Sequence, residues 1–436
     1  MTSASQRIAV IGAGIAGITT AFELAEDGHH VTLYERCDSV AAEGSFANAG
    51  LVSPGSVSPA AARGLHRWLL RGLFSHDAAL HWRPRFSPAQ WRWLRAWWQA
   101  CGQGHEHDVR AMVALARHSQ ARLQDLTHRL ALDYERSDGV LLLLRHSREF
   151  RPSLRHVQML NELGVPAEPL DPDACRAIEP GLGEQSPAGG VHLSGDGVAN
   201  CRQFAQQLRD RLALQGDVQL HWSTAVTRIG REGGRIQIEH APNGVQGPAQ
   251  PPRLAEHDAV VVCAGASAPL LLRPLGWRLP LMPVLGHSVT FRLQAHGRAP
   301  RSAVVDASAG VAIARQGGRI RITGGYSLGG RGTPGDPGEA ALKPLYRALN
   351  RWFPYAAERA QAQVWTGARP MLPAGPPIVG EAPRGAGDGR VWLNLGHGAH
   401  GWTLACGSAR LLADQIAGRA PALDPAPFAA TRWLKT

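Results

Sequence analysis

Three glycines and one acid near the start of the chain have the types and spacing of a dinucleotide-binding turn. Gly12, Gly14 and Gly17 follow an apolar run that begins at Arg7, and Glu35 closes the next apolar run. Gly12 permits a tight turn, Gly14 lets a pyrophosphate approach the backbone, and Gly17 lets the helix pack close to the sheet. Glu35 would accept hydrogen bonds from ribose hydroxyls and repel a 2′-phosphate, which favours FAD or NAD over NADP.

Glycine triplets arise by chance in a chain with 50 glycines, so the surrounding sequence pattern decides whether these three glycines belong to a dinucleotide-binding turn. A strand at 7–11, an amphipathic helix and Gly28 at the helix end complete a βαβ unit, with the helix N-terminus towards the phosphates. Two alternatives are a βαβ unit without a ligand and a secretory signal with residues 8–22 as its apolar core. The glycines and the early Glu23 argue against the signal.

Arg369 is the second group that could do chemistry. It lies in a stretch rich in Gly and Pro at 365–380, WTGARPMLPAGPPIVG, where Pro370 stiffens the backbone. A guanidinium held in such a place is suited to bidentate binding of a carboxylate. The alternative is a structural arginine that pairs with an acid or with carbonyl groups.

Composition excludes several classes of protein. With 436 residues the chain is long enough for two domains, and its longest apolar run, 259–272, is too short to span a membrane. The net charge of +11 is spread along the chain and no nucleic-acid module accompanies it, so we expect no nucleic-acid partner. Six cysteines without a CxxC pair favour a reducing cytoplasm.

Charge and tryptophan concentrate in residues 63–98. Seven arginines and six of the 13 tryptophans lie there, and Leu94, Trp97, Trp98 and Cys101 follow helical spacing. One interpretation is peripheral contact with an anionic membrane. The other is that the tryptophans cover a substrate cavity or pack between domains.

The remaining pattern predicts how the chain is organised. Residues 258–265, DAVVVCAG, are typical of a strand buried in a parallel sheet, and 391–417 read as strand, glycine turn and helix. Period-two alternation between 281 and 325 predicts a mostly antiparallel sheet. We therefore expect a dinucleotide domain assembled from separated stretches, with a substrate domain inserted between them.

Three motifs resemble those of the D-amino-acid dehydrogenase small subunit, a family within the D-amino-acid oxidase and glycine oxidase group of flavoproteins. They are SFANAG at 45–50, the stretch 365–380, and LNLGHGAHGWTLACGSARLLADQIAGR at 393–419. The resemblance extends over essentially the whole chain. It implies an α/β protein with a Rossmann-like FAD-binding domain (1–60, 190–272 and 365–436) and an inserted α+β substrate domain (61–189 and 273–364).

The resemblance also implies non-covalent FAD and assigns residues to it. The ADP half would be bound by Gly12, Gly14, Gly17 and Glu35, with the backbone of Val226 near the adenine. The flavin ring would be lined by Ser45, Asn48, Ala49 and Gly50, with the backbone of the turn 396–401 (Gly396, His397, Gly398 and Gly401) near its pyrimidine end. Further residues predicted to bind the cofactor are Ile15, Ala16, Arg36, Leu51, Ala264, Gly265, Arg369, Trp402 and Thr403.

The implied reaction is oxidation of the CH–NH bond of a D-amino acid, with hydride passing to flavin N5 and the imine hydrolysing to a 2-oxo acid and ammonia. Arg369 would bind the substrate carboxylate, and with His287 and His400 it forms the predicted catalytic set. Electrons would pass to a quinone or another acceptor, with the protein cytoplasmic or at the inner face of the membrane. No obligatory protein base is expected.

Several positions depart from the usual family pattern: Leu51, Leu285, His287, Ala374 and His400. They predict a pocket of different shape and leave secondary amines such as glycine, sarcosine or D-proline-like compounds, or a non-catalytic flavin-binding role, as alternatives. His397 and His400 have the i, i+3 spacing of metal ligands, but no acid or cysteine cluster joins them, so we predict no metal.

Overall fold

The computed structural model describes residues 5–61, 80–82, 87–102, 106–244, 251–328, 339–383 and 389–434. The helices of these residues are α1 (Ile15–Glu26), α2 (Pro88–Cys101), α3 (Glu106–Arg129), α4 (Phe150–Glu162), α5 (Pro172–Ile178), α6 (Cys201–Ala213), α7 (Ala268–Leu272), α8 (Glu339–Trp352) and α9 (Gly401–Ile416).

The strands form three sheets. They are β1 (Arg7–Ile11), β2 (His30–Tyr34), β3 (Leu51–Val52), β4 (Leu80–Trp82), β5 (Arg136–Leu144), β6 (Glu168–Leu170), β7 (Gly189–Ala199), β8 (Val218–His221), β9 (Thr224–Glu232), β10 (Arg235–Pro242), β11 (Arg253–His257), β12 (Ala259–Val262), β13 (Met282–Leu293), β14 (Ala303–Asp306), β15 (Val311–Gln316), β16 (Arg319–Leu328), β17 (Ala357–Met371), β18 (Ile378–Glu381) and β19 (Val391–Leu395).

The first sheet has six strands in the order β18-β19-β12-β1-β2-β8. All its pairs are parallel except the edge pair β18–β19. The apolar run AVVV of β12 is buried on both sides, as a central parallel strand requires. The expectation of a parallel sheet assembled from distant parts of the chain is confirmed.

Helix α1 follows β1 and packs against α9. Gly28, just beyond the end of α1, has φ +85°, a conformation that glycine adopts without strain. Glu23 of α1 is fully buried and accepts hydrogen bonds from Arg122 of α3 and Arg410 of α9 at 2.7–2.8 Å. This ion network holds the three helices together on one face of the parallel sheet.

The largest sheet runs β17-β13-β16-β15-β14-β5-β7-β3, with β4 paired to β16 and β6 to β7. Its pairs are antiparallel except β5–β14 and β4–β16. Gln316 pairs with Arg319, so the turn between β15 and β16 lies at 317–318. The mostly antiparallel sheet is confirmed, and helix α8 covers one of its faces through a cluster that includes Val289, Phe291 and Trp352.

Two assignments differ from the sequence-based expectation in detail. Strand β7, in the 190–272 stretch grouped with the FAD-binding segments, pairs within the large sheet, and the domain boundaries themselves stay a prediction. In α2, Trp93 is buried together with Leu94, Trp97 and Cys101, whereas Trp98 is 46% exposed. Trp98 therefore does not share the face of Leu94, Trp97 and Cys101, with which helical spacing grouped it. Most of the rest of segment 63–98 lies outside the described residues.

Candidate functional site

The glycine turn after β1 is tightly constrained by the protein itself at two of its three glycines. Gly12 has φ +99°, and a Cβ there would lie 2.8 Å from the carbonyl oxygen of Cys263. A Cβ on Gly17 would lie 2.9 Å from the carbonyl carbon of Gly12 and still closer to its oxygen. These two positions exclude any side chain because strand and helix backbones are in contact.

Gly14 is different. Its φ of −62° suits any residue, and among the described residues only the Ser45 hydroxyl oxygen, at 3.5 Å, would lie within 4 Å of a Cβ added there. The protein therefore leaves open space above Gly14, at the start of α1. Such space is what a pyrophosphate group needs in order to approach the backbone.

The N-terminus of α1 is prepared for an anion. No acidic residue lies in its first turn, and its N-cap residue, Gly14, has no side chain to accept from the helix N–H groups. The N–H of Ile15 donates to Ser45 Oγ at 3.1 Å, while Ala16 follows in the same turn. The unneutralised positive end of the helix dipole favours a phosphate at this point.

Glu35 lies at the end of β2 beside this turn. Its Oε2 accepts from the N–H of Ala13 at 2.6 Å, and its Oε1 accepts from the N–H of Cys37 at 2.9 Å. A carboxylate has about four acceptor positions, so two remain for ribose hydroxyls. Desolvation by burial raises the pKa of the Cys37 thiol to about 12, and the negative charge of Glu35 adds to this rise.

Other residues predicted to bind the cofactor surround the same end of the parallel sheet. Arg36 donates to Glu43 and, at 3.0 Å, to Ser267 Oγ, and a Cβ on Gly12 would lie 3.3 Å from Cα of Ala264. Val226 and Ala264 are both half-buried against one hydrophobic cluster. Gly265, with φ +51°, has no atom of the described residues within 4 Å of a Cβ position.

Residues 43–51 form a loop that packs on the edge strand of the large sheet. A Cβ on Gly44 would lie 2.8 Å from the carbonyl oxygen of Ala368, so only glycine fits there. Asn48 Oδ1 accepts from the N–H of Gly50 at 2.9 Å, and Gly50 has φ +76°. Ala49 lies between them, and Leu51 begins β3. We call residues 43–51 the flavin loop, after the group that the resemblance predicts beside it.

The sheet face beneath this loop carries Arg369. Trp365, Gly367 and Arg369 alternate along β17, so their side chains share one face. The Trp365 ring lies 4.5 Å from the ring of Phe46, and Gly367 contacts Gly44. We call this the loop face of the large sheet, and Arg369 lies on it directly beyond the flavin loop.

Arg369 lies flat against its neighbours. A Cβ on Gly286 would lie 2.6 Å from Arg369 Nε and Nη2, so the missing side chain makes room for the guanidinium. Its Cζ lies 4.5 Å from the ring centre of Tyr326, a cation–π contact. Arg369 Nη1 is buried and has no hydrogen-bond partner among the described residues. No acid among the described residues pairs with Arg369. This is contrary to the alternative that Arg369 is a structural arginine paired with an acid.

Three more buried polar groups on the loop face lack partners in the described residues: Ser288 Oγ, Trp365 Nε1 and both atoms of the Gln316 amide. Ser288 pairs with Trp365 in the strand register, and Gln316 contacts the Gly50 position. Buried polar groups are almost always satisfied in native proteins. Together with the open space at Gly14, they fit a bound molecule with many polar atoms that extends from α1 to β17, as FAD does.

The second glycine turn, 396–401, joins β19 to α9 close to Arg369. A Cβ on Gly396 or Gly398 would lie 2.6–2.7 Å from the side chains of Leu372 or Met371, respectively. No acid lies in the first turn of α9, which begins at Gly401. This turn therefore places a second helix N-terminus beside the loop face.

The two histidines of the turn are both neutral. Burial lowers the pKa of His397 to about 4, and its Nε2 lies 3.0 Å from Ser408 Oγ. Burial and the nearby Arg369 lower the pKa of His400 to about 4 as well. His400 Nε2 accepts from the N–H of Ser58 at 3.3 Å, which places its proton on Nδ1. The structure thus brings His400 and Arg369 together.

His287 is not part of this group. It pairs with Thr366, which lies an odd number of residues from Arg369 on β17 and so points to the opposite face. Its Nδ1 lies 3.0 Å from Thr366 Oγ1. Its Nε2 lies 3.2 Å from Ser327 Oγ. These contacts put His287 on the α8 face, opposite the loop face, because neighbouring residues of a strand point to opposite sides. The structure therefore does not bring His287 together with Arg369 and His400, and its predicted catalytic role stays a prediction.

Two residues predicted to bind the cofactor use their side chains elsewhere. Trp402 Nε1 donates to the carbonyl of Ala199 at 2.9 Å, and its ring packs on Phe204. Thr403 Oγ1 donates to the carbonyl of Leu51 at 3.0 Å, which ties α9 to the end of the flavin loop. Only their backbone N–H groups remain for a ligand.

Reasoning from the sequence missed Trp365, Ser288, Gln316 and Tyr326. Trp365 had a usable signal, since it stands four residues before Arg369 in the same motif and period two puts both on one face. The others lie on strands far away in sequence. Among the described residues, no group of three His, Cys, Asp or Glu side chains could bind a metal.

Comparisons with known proteins identify the family of the chain. Residues 7–415 match the family model DAO, described as FAD dependent oxidoreductase. A protein of Cereibacter sphaeroides named D-amino acid dehydrogenase is 42% identical over 433 residues, covering 98% of this chain and 95% of the relative. One of the same name from Rhizorhabdus wittichii is 38% identical over 432 residues, covering 98% and 100%.

The fold is also similar to that of a solved structure. Glycine oxidase from Geobacillus kaustophilus superposes with a TM-score of 0.73 at 23% identity, covering 99% of this chain and 100% of that one. The family match spans most of the chain, from β1 to the last turn of α9. The chain therefore belongs to the DAO family of FAD-dependent oxidoreductases and is an enzyme with FAD as its cofactor.

Proposed function

We propose that this enzyme oxidises D-amino acids to imines, which hydrolyse to 2-oxo acids and ammonia. The observation that carries the proposal is Arg369, a half-buried cation on the loop face beside the flavin loop, whose buried Nη1 has no hydrogen-bond partner among the described residues. The names of the relatives, which are 38–42% identical over nearly their whole length, support the same reaction.

The cofactor would be held from three sides. The turn with Gly12, Gly14 and Glu35 would bind its ADP half, the flavin loop would border the ring, and the start of α9 would face the ring from the other side. FAD, when bound, supplies an acceptor for the two electrons of the substrate CH–NH bond. Partial positive charge at the α9 N-terminus favours the negative charge of the reduced state.

The protein's own contribution is to orient the substrate. Arg369 would bind its carboxylate, and contact with the Tyr326 ring and Gly286 keeps the guanidinium from turning away. His400 would act as a neutral donor at the same place, because its Nε2 already accepts from Ser58 and only Nδ1 carries a proton. With Nε2 occupied, His400 is not a general base, in agreement with a reaction that needs none.

The test is reduction of the bound flavin without oxygen. D- and L-forms of several amino acids, glycine, sarcosine and D-proline are mixed with the holoenzyme, and bleaching of flavin absorbance is followed. We expect D-amino acids to bleach the flavin and their L-forms to leave it oxidised. Reduction by glycine or sarcosine alone would instead assign the enzyme to small or secondary amines.

The variant Arg369→Met tests the carboxylate role. Loss of two charge-assisted hydrogen bonds should lower kcat/KM about 100-fold or more while FAD content stays unchanged. Arg369→Lys should recover part of this loss because it restores the charge but not the planar fork. Arg110→Met, at an exposed pair with Glu106, is the matched control. Unchanged turnover of Arg369→Met would overturn the assignment.

We further propose that the electrons pass to a quinone and that the protein contacts an anionic membrane through α2. Trp91 and Trp98 are 49% and 46% exposed on this helix, and Arg92 and Arg95 are exposed beside them. Such a face suits a membrane interface. No helix in the described part of the chain is long and apolar enough to cross a membrane.

Vesicle co-sedimentation tests this contact. Binding to anionic vesicles at low salt should weaken at high salt, because the charge attraction is screened. Trp91→Ser with Trp98→Ser should remove it, whereas Leu214→Ser, at an exposed leucine on α6's C-terminal side, should not. No binding at low salt would exclude the contact.

Comparing peroxide formation with reduction of a soluble quinone separates oxygen from quinone as acceptor.

A further inference from the structure

Besides Arg369, the loop face carries a more deeply buried cation, Arg321. It lies on β16, pairs with Thr290 of β13 in the strand register and is only 9% exposed. Thr290 and Ser288 alternate along β13, so Arg321 shares the loop face with the buried polar groups that lack partners there. A buried charge is costly unless an acid pairs with it, so its surroundings show what it does.

Hydrogen bonds fix the Arg321 guanidinium against the flavin loop. Its Nε donates to Thr290 Oγ1 at 2.9 Å, and its Nη1 donates to the carbonyl oxygen of Asn48 at 3.1 Å. Asn48 is one of the residues predicted to line the flavin ring. Both acceptors are neutral oxygen atoms, so these bonds hold the positive charge in place without cancelling it.

The charge of Arg321 has no acid to cancel it in the part of the chain that the structure describes. Neither of its hydrogen-bond acceptors is a carboxylate. The acid whose charge acts on it is Glu135, which already has partners. Glu135 Oε2 accepts from Arg319 Nη2 at 2.7 Å and from Asn200 Nδ2 at 2.8 Å. Because Arg319 and Glu135 balance each other, one net positive charge remains at Arg321.

This charge persists at neutral pH. Burial, and after it the charge of Arg319, lower the pKa of Arg321 to about 10, which still leaves the guanidinium protonated. Burial raises the pKa of the neighbouring Cys201 thiol to about 12, so that group is uncharged. A lowered pKa has the sign expected of a buried cation without a full counter-charge.

The strand register places Arg321 between two of the buried polar groups that lack partners. Arg321 pairs with Thr290 on one side and with Ala314 of β15 on the other. Ser288 and Gln316 lie two residues away along those strands, on the same face and about 7–8 Å from it as diagonal neighbours. A bound molecule that satisfies Ser288 and Gln316 therefore lies within reach of the charge of Arg321.

We infer that Arg321 raises the reduction potential of the bound FAD by presenting a fixed positive charge beneath the flavin loop. Uptake of a hydride gives the flavin one negative charge, and a buried cation favours that reduced form. At an effective dielectric constant of about 20, one such charge changes the equilibrium about tenfold, or about 30 mV for a two-electron couple. The inference rests on the FAD of the family and not on the proposed substrate.

The midpoint potential of the bound flavin tests the inference. The holoenzyme is reduced without oxygen in equilibrium with a redox dye of known potential. Arg321→Met should lower the midpoint potential by about 30 mV, a tenfold shift towards the oxidised form. Arg321→Lys keeps the charge and should stay within about twofold of wild type, or about 9 mV. Arg315→Met is the matched control, because it removes a half-buried cation from the opposite face of the same sheet and should also stay within this range.

Two substitutions at Thr290 separate the charge of Arg321 from its structural role. Thr290→Asp puts a carboxylate where the hydroxyl now accepts from Arg321 Nε, and should lower the potential about as much as Arg321→Met because the charge is then paired. Thr290→Val removes only the acceptor and should leave the potential within about twofold of wild type, or about 9 mV. A merely structural role predicts the reverse order, because Thr290→Asp keeps the hydrogen bond and Thr290→Val loses it.

FAD content and circular dichroism show which variants are folded holoenzymes. If Arg321→Met binds FAD and has the wild-type potential, or shifts it no more than Arg315→Met does, the inference is wrong. If Arg321→Met does not retain FAD, the two Thr290 variants decide, and equal potentials for them refute the inference. Reduction of the wild-type flavin by D-amino acids is a separate result, which decides the proposed function alone.

Discussion

Gly14→Ala is the sharpest test of the cofactor site, because the protein itself does not need a glycine there. The Gly14 backbone has an ordinary negative φ, and among the described residues a Cβ would meet only Ser45 Oγ, at 3.5 Å. We therefore expect the cofactor-free variant to fold with wild-type stability and to lose FAD. Gly17→Ala, three residues away, should instead damage the fold.

The magnitudes follow from the contacts. Alanine at position 14 lowers the entropy of the unfolded chain, which stabilises by about 0.4–1 kcal/mol, and is a poorer helix N-cap by a similar amount. The net change in unfolding free energy is thus below about 1 kcal/mol. In the holoenzyme, the methyl group displaces the pyrophosphate and forfeits about two charge-assisted hydrogen bonds, about 3 kcal/mol or at least 100-fold in Kd.

At Gly17 the reasoning gives the opposite result. A Cβ would lie 2.9 Å from the Gly12 carbonyl carbon and 3.3 Å from Cys263 Cβ, so α1 must move away from β1. Overpacking of this kind costs about 1–3 kcal/mol or more, with or without cofactor. Gly216→Ala is the control, since that position has negative φ and no atom of the described residues within 4 Å.

The assay pairs urea unfolding of the deflavinated proteins with FAD titration followed by flavin fluorescence. Gly14→Ala should unfold at the wild-type midpoint and bind FAD at least about 100-fold more weakly, whereas Gly17→Ala should unfold at lower urea. If Gly14→Ala binds FAD about as tightly as wild type, the pyrophosphate does not approach at Gly14. If the cofactor-free Gly14→Ala variant unfolds at lower urea than wild type, the space above Gly14 is needed by the protein itself and is not a binding site for the cofactor.

Two further predictions concern stability. Glu23→Gln removes the carboxylate that Arg122 and Arg410 share and should lower the free energy of unfolding by about 3 kcal/mol. This value is the lower end for a broken buried ion pair, because both arginines keep other acidic partners. The control Glu106→Gln, at an exposed pair, should lower the free energy of unfolding by less than about 1 kcal/mol in the same urea experiment. Burial lowers the pKa of His257 from 6.5 to about 4, so the unfolded state takes up the proton first and stability present above pH 6.5 is lost as the pH falls towards 4. By about pH 5 the loss amounts to at most about 2 kcal/mol, and His257→Gln should remove that part of the slope; identical pH profiles for variant and wild type would show that His257 titrates normally.

Local sequence determined much of the cofactor site. Gly12, Gly17 and Gly28 act within one strand–turn–helix unit, whose hydrogen bonds join residues close in the chain, so spacing was enough to predict it. Asn200 is a second local feature: its side chain accepts from the N–H of Gln203 at the start of α6, which is the hydrogen bond of an N-cap.

What the sequence could not decide is which residues from distant strands share a face. His287 and Arg369 are 82 positions apart, and only the pairing of β13 with β17 shows that His287 faces α8 while Arg369 faces the flavin loop. A shift of one residue in that register would exchange their faces. Neither residue's local pattern contains the register, because it is set by packing on both sides of the sheet.

The chain alone thus specified the chemistry that is encoded over short distances: the dinucleotide turn, the preference against a 2′-phosphate at Glu35, and a cation on a stiff strand at Arg369. Tertiary structure decided what surrounds that cation. It placed Trp93 rather than Trp98 against the sheet and left Arg369 Nη1 without a partner among the described residues. The physical reason is that helical spacing defines faces of a helix, but burial depends on which face meets another part of the protein.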